Sequence, residues 1–373
     1  MIDETELLYT MALTLALRGH SRSQRVLLDA LGSATAVYEN RSEASQVFEN
    51  VSPRATELLA ALPSFLRACE EELSYARAHN INVLAIQDEE HYPVRLRTCD
   101  DAPLILYFLG NADLNAKHIV SVVGTRRCTE RGRDFCKAMG RQIAERDSGA
   151  LIVSGLAYGI DIAAHRAAID NGLPTVAVLA HGLDEIYPSA HRQTAIQMLR
   201  HGGLLTEFTS HTPIDRLNFL QRNRIVAGLS DATVVVESPA RGGSLNTARL
   251  AADYHREVFA VPGRPTDLNS EGCNTLIRRN AATLMTSASE MMDELGWEGE
   301  MRNEPQQAML FPEMSAEEQS VVAALNNADA DLTLSELSQR TAIPTFKLMP
   351  LMVALEMKDL VKAMAGQRYH LRK

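Results

Sequence analysis

Long apolar stretches are missing from this chain of 373 residues. The run Leu7 to Leu17 falls well short of the roughly 20 residues that cross a bilayer. The opening MIDETELLYT carries acids and no base, so neither a membrane span nor a signal peptide is expected. Cysteine is scarce: Cys69, Cys99, Cys128, Cys136 and Cys273 are scattered and form no Cys-x-x-Cys pair. That pattern argues against a disulfide framework and structural zinc, and fits a reducing cytoplasm. No G-x-x-x-x-G-K-[ST] or G-x-G-x-x-G occurs, which excludes a P-loop ATPase and a standard dinucleotide site. H-E-x-x-H and the serine elbow G-x-S-x-G are also absent.

The remaining composition, 46% hydrophobic and 23% charged, is that of a globular protein. The net charge of −10 looks hostile to nucleic acid until it is divided along the chain. Between Ser289 and Glu318, nine acids face the single base Arg302, so this stretch holds −8 of the total. A local basic face elsewhere remains open.

The pattern divides the sequence into four parts. Residues 1–75 read as a small helical domain of the sterile-alpha-motif or helix-hairpin-helix kind. Its segment from Arg18 to Ser33 lacks the Gly-hydrophobic-Gly hairpin with which such units grip DNA, which favours plain packing. Residues 76–296 alternate short apolar runs with helical patterns: Val83–Ile86, Leu104–Leu109, Ile119–Val123, Leu151–Ser154, Thr175–Ala180, Gly203–Glu207, Ala232–Glu237, Val258–Val261 and Thr283–Thr286. Runs apolar on both faces and separated by helices predict an α/β class, a doubly wound Rossmann-like parallel sheet of about nine strands. Residues 297–314 read as an acidic linker. Residues 315–373 predict three helices and a terminal hairpin, a winged-helix pattern, with Pro350 shortening the third helix.

Three strand ends run through glycine loops into helices: Val122-Val-Gly-Thr-Arg-Arg127, Ser154-Gly-Leu-Ala-Tyr-Gly-Ile-Asp161 and Glu237-Ser-Pro-Ala-Arg-Gly-Gly-Ser-Leu-Asn246. Glycine lets backbone approach a ligand closely, and amides at a helix start attract anions. In an open parallel sheet such loops converge beyond the carboxyl ends of the strands. Arginines accompany them: Arg126 and Arg127, Arg241, and the Arg222-Asn-Arg224 pair. Together they predict a phosphate-binding crevice. His165, four residues after Asp161, reads as a histidine that fixes a helix start rather than as a catalyst.

The sequence resembles the DNA-processing protein A family, DprA or Smf. The resemblance rests on His91-Tyr-Pro-Val-Arg-Leu96, Leu104–Gly110, Val123-Gly-Thr-Arg126, SGLAYGIDIAAHRAAI at 154–169 and Thr175–Leu179. It continues through Ile186-Tyr-Pro188, Thr206-Glu207, Phe219-Leu-Gln-Arg-Asn-Arg-Ile225, Gly243-Ser-Leu245 and Val258-Phe-Ala-Val-Pro-Gly263. What it implies is a non-catalytic, cofactor-free recombination mediator that binds single-stranded DNA, forms homodimers and helps load the RecA recombinase during natural transformation. The implied DNA-contacting set is Gly124, Thr125, Arg126, Ser154, Gly155, Gly159, Arg192, Arg222, Asn223, Arg224, Arg241, Gly242, Gly243 and Ser244. Family members usually carry serine at Thr125, glycine at Ala180 and often lysine at Ser189, where Arg192 is the substitute charge nearby. Two other readings stay open. One is a phosphoribohydrolase of the lysine-decarboxylase-like fold, against which the loop lacks Gly-Thr and its trailing glutamate. The other is a regulator led by the winged helix, whose seven bases are matched by seven acids over 315–373.

Overall fold

The computed structural model describes residues 2–43, 53–297, 315–326, 332–358, 360–364 and 368–371. The chain divides into two compact units, Met1–Glu300 and Met301–Lys373.

The first unit opens with α1 (Glu4–Ala16), α2 (Ser21–Leu31), α3 (Ala34–Glu39), α4 (Pro53–Ala60) and α5 (Leu66–Ala78). Asp3 caps α1 through the Thr5 amide, and Ser33 caps α3 through the Ala36 amide. Glu6 on α1 accepts from the Ala34 amide at 2.6 Å and the Thr35 amide at 2.9 Å, pinning the start of α3. These helices do not form a body of their own. Met11, Leu13 and Cys69 share one apolar core with Leu106, Val153 and Val178 of the sheet. The sequence break expected at residue 75 is therefore a change of secondary structure inside one unit.

Next come β1 (Asn82–Ala85), α6 (Val94–Arg97), β2 (Ile105–Gly110), β3 (Ile119–Val123), α7 (Glu130–Arg146), β4 (Leu151–Ser154) and α8 (Ile160–Asp170). They are followed by β5 (Thr175–Val178), α9 (Arg192–Met198), β6 (Gly202–Thr206), α10 (Arg216–Gly228), β7 (Ala232–Val235) and α11 (Ser244–Asp253). The unit closes with β8 (Glu257–Ala260), α12 (Glu271–Arg278), β9 (Thr283–Leu284) and α13 (Ala288–Glu294). The nine strands form one sheet in the order β1-β2-β6-β5-β4-β3-β7-β8-β9. From β6 to β9 neighbours are parallel. At the other end β1 and β2 run antiparallel, so the expected all-parallel sheet carries an antiparallel edge. In the central strands alternate residues serve opposite faces. Ile119 and Val123 join the core beneath the amino-terminal helices, whereas Val120 and Val122 join a second core with Cys136, Ile143 and Ala164 of α7 and α8.

From β3 the chain moves outward through β4, β5 and β6, then returns to place β7 on the other side of β3. The strand order thus reverses between β3 and β7, and this gap beyond their carboxyl ends is where an open α/β sheet presents its ligand crevice.

Trp297 corrects the expected linker boundary. It is buried and stacked on His118 with ring centroids 4.4 Å apart, so it belongs to the folded unit. Residues 298–314 lie outside the described residues.

The second unit contains α14 (Ala316–Asn326), β10 (Leu332–Thr333), α15 (Leu334–Thr341), α16 (Thr345–Met357), β11 (Val361–Met364) and β12 (Arg368–Leu371). The strands pair antiparallel in the order β10-β12-β11 over a core including Val321, Leu337, Leu348 and Leu355. A capping box between Thr333 and Glu336 starts α15. Contrary to expectation, α16 continues through Pro350. Proline deprives the carbonyl four residues back of its partner. Here that residue is Phe346, which is exposed to water.

Candidate nucleic-acid interface

The three glycine loops meet at the β3/β7 gap, held together by backbone. The Thr125 amide donates to Glu237 O at 2.7 Å, and the Ile160 amide at the start of α8 donates to Thr125 O at 3.2 Å. Gly159 has φ +82°, and a Cβ there would lie 2.1 Å from Thr125 O, so both backbone shape and space demand glycine. Gly155 is required by a side chain: its Cβ would lie 1.9 Å from Arg222 Nη1.

Two helix starts in the crevice are already occupied from within. Glu237, at the end of β7, accepts from the Thr129 amide at 2.9 Å and from Thr129 Oγ1 at 2.5 Å, placing an internal carboxylate at the start of α7. The start of α8 is engaged by Thr125 O. By contrast, α11 begins at Gly243 with no side-chain cap, and a Cβ at Gly243 would meet nothing within 4 Å. The Leu245 and Asn246 amides turn back to Gly242 O at 3.2 Å and Gly243 O at 3.1 Å, so it is the Gly243–Ser244 turn that faces an accessible space, a geometry suited to an anion.

That space is a cleft of about 610 Å³, walled by Gly124, Thr125, Arg126, Arg222, Asn223, Gly242, Gly243 and Ser244 from the expected set. Arg126 is exposed, and its guanidinium carbon stands 5.5 Å from the centroid of the Phe219 ring. Tyr187 meets Phe219 edge-on with centroids 6.0 Å apart and is itself 45% exposed. Arg216 adds a second exposed cation at the start of α10. An exposed guanidinium over an aromatic face, beside the open Gly243–Ser244 turn, has the chemistry to hold a phosphate and stack a base.

Other residues of the expected set do different work. Ser154 is fully buried and donates to Val122 O at 2.6 Å, tying two strand ends together. Ser244 is buried, and its hydroxyl donates to Ser238 Oγ at 2.9 Å. Arg192 and Arg241 are exposed and do not wall the cleft. The expected pairing of Arg222 with Arg224 is corrected by helical geometry, since residues two apart point to opposite sides of a helix. Arg222, 4% exposed, turns under the second glycine loop and donates to Val178 O at 2.5 Å. Burial lowers its guanidinium pKa, partly opposed by the adjacent Asp161, whose own carboxyl burial pushes up. Arg224 points away, forms a buried ion pair with Glu207 and donates to Asp101 O at 2.7 Å. His165 is fully buried and its Nδ1 lies 2.8 Å from Thr175 Oγ1 on β5, so it ties α8 to the sheet rather than fixing the start of that helix as expected.

The aromatic wall was missed as a site. Tyr187 and Phe219 are 32 residues apart in sequence and meet only because β5 and β6 bring the loop after β5 and the start of α10 to one end of the sheet. Among the described residues, no cluster of histidine, cysteine, aspartate or glutamate fits a metal ion.

A strand-order reversal fringed by glycine loops, an exposed arginine and an edge-on aromatic pair defines an α/β protein with an open crevice at the carboxyl ends of its central strands. The family model for DNA recombination-mediator protein A matches residues 82–296, more than half of the chain, and the chain belongs to that family. DNA processing protein DprA of Streptococcus pneumoniae is 39% identical over 206 residues, covering 55% of this chain and 72% of its own. The X-ray structure of DNA processing protein A from Streptococcus pneumoniae superposes with a TM-score of 0.58 at 31% identity, covering 73% of this chain and 97% of the other. A structure of DNA processing protein A from Helicobacter pylori, described for its single-stranded DNA binding mode, gives a TM-score of 0.52 at 30% identity over 58% of this chain and 96% of the other.

Proposed function

We propose that this protein binds single-stranded DNA in the β3/β7 cleft without reading its sequence, and serves as a non-catalytic mediator that helps load RecA during natural transformation. The observation that carries the DNA reading is Arg126, exposed and poised over Phe219 beside the open start of α11. Phosphates take Arg126, Arg216 and the open Gly243–Ser244 turn, while bases stack against Phe219 and Tyr187. A related protein described for its single-stranded DNA binding supports the choice of ligand. The cleft suits a single strand because its loops address backbone, and a stiff duplex does not enter a cleft of about 610 Å³. The family's description as a recombination mediator supports the recombination role; a homodimeric assembly, a place in the cytoplasm and a second unit read as a winged helix that serves protein contacts are parts of the same proposal. Labelled single-stranded and duplex oligonucleotides of equal length, titrated across a salt series, test the DNA reading. Single strands should bind more tightly, with a log-log salt slope of about −0.7 per phosphate neutralised. Equal affinity for both forms at physiological salt would overturn it.

A further inference from the structure

A second cleft, of about 540 Å³, lies on the opposite side of α10, between that helix and the turn joining α1 to α2. Its rim carries Arg18 and Arg22, both exposed, and among the described residues neither has a carboxylate at salt-bridge distance. Arg249, exposed and only loosely paired with Asp253 at 3.4 Å, faces them from α11. The start of α2 opens into the same cleft without a side-chain cap. Glu207 Oε1, in the wall, is buried and has no hydrogen-bond partner. A ligand for this cleft therefore brings anionic groups to the rim and can add a donor for the wall, and a nucleotide carries both.

Position decides which nucleotide. Leu220, 47% exposed, walls both clefts, so the two meet across a single residue of α10 next to Phe219. Arg18 also stands over an aromatic ring, with its guanidinium carbon 5.5 Å from the centroid of Phe208. The second cleft repeats the arginine-over-aromatic pairing of the first.

We propose that the second cleft is a continuation subsite for single-stranded DNA: a strand held at Arg126 and Phe219 passes over Leu220 and sets its next phosphates on Arg18 and Arg22. The inference rests on the reading of the first cleft and gives the amino-terminal helices a part in binding that the absence of a helix-hairpin-helix motif had denied them. A strand must be long enough to reach both clefts, so the subsite acts on long oligonucleotides and leaves short ones untouched.

The test compares oligo-dT of about 6 and about 20 nucleotides by fluorescence anisotropy on the full chain, for wild type, Arg18→Ala/Arg22→Ala and Arg126→Ala. An Arg67→Ala/Arg141→Ala control has the same loss of charge on exposed surface elsewhere. The Arg18→Ala/Arg22→Ala protein should bind the long strand about five- to tenfold more weakly, with a salt slope shallower by about 1.4, and the short strand as wild type does. The control should bind both as wild type. If Arg18→Ala/Arg22→Ala binds the long strand like wild type, or loses no more than the control, the subsite is refuted while the first cleft stands. If Arg126→Ala binds both lengths normally and Arg18→Ala/Arg22→Ala loses the long strand, the first reading fails and the second cleft is a site in its own right. No binding of either length by wild type overturns both.

Discussion

At the residue, Arg126 and Arg224 show what one charge does in two surroundings. Arg126→Ala removes an exposed guanidinium, and single-stranded DNA binding should weaken by about 1.5 to 3 kcal/mol, the worth of a charge-assisted contact, with thermal stability unchanged. A mobility-shift assay against Arg141→Ala, an exposed arginine outside both clefts, checks it, and equal losses for both would remove Arg126 from the centre of the site. His165 gives a prediction in pH. Thr175 Oγ1 donates to Ile152 O at 2.9 Å, so it accepts from His165 Nδ1, and His165 Nε2 is left buried without a partner. Burial, with Arg222 nearby, lowers the pKa of this histidine from 6.5 to about 3. The unfolded chain therefore takes up a proton that the folded one refuses, and stability falls as pH drops from 6.5 toward 3. Urea unfolding at about pH 7 and 5.5 should show about 1 kcal/mol lost to this group. His165→Gln should lose correspondingly less over that interval, whatever its starting stability.

At the element, the strands were readable because each buried strand writes an unbroken apolar run, and every expected run coincides with a strand to within two or three residues. The loops were readable because close backbone packing leaves glycine where no Cβ fits. The sides of α10 were misread although the spacing was in plain view, since Arg222 and Arg224, two apart, cannot serve one face. Glu237 at the start of α7 was illegible for a different reason: it reaches Thr129 across 108 positions, and only the pairing of β3 with β7 brings them together. The open start of α11 makes its own prediction. Gly243 has ordinary helical backbone and free space around its missing Cβ, so Gly243→Asp should fold normally by circular dichroism. It should lose at least tenfold in DNA affinity, about 1.4 kcal/mol, by placing a like charge at the phosphate seat. Normal affinity in the folded variant would reduce this loop to a turn.

For the whole molecule, the division into two units marks where the chain can be cut. A protein ending at residue 300 keeps Trp297 in its core, every glycine loop and both clefts, and sheds a second unit with its own apolar core. It should bind single-stranded DNA within a few-fold of full-length affinity, as the segment after residue 300 carries nine acids against eight bases and offers the phosphates no net attraction. A loss beyond about tenfold in a folded, monodisperse protein would give the second unit a direct place in DNA binding. Ending at residue 296, where the sequence pattern put the linker, would instead strip an aromatic ring from the core. A lone tryptophan in an acidic, aperiodic stretch gave no sign of that packing. Its solitude now has a use. As the chain's single indole, seated against His118 and outside the residues that wall either cleft, Trp297 is a native fluorophore whose emission follows unfolding of the first unit and stays silent when DNA arrives. Stability and binding can therefore be followed in one cuvette, through intrinsic light for the one and a labelled strand for the other.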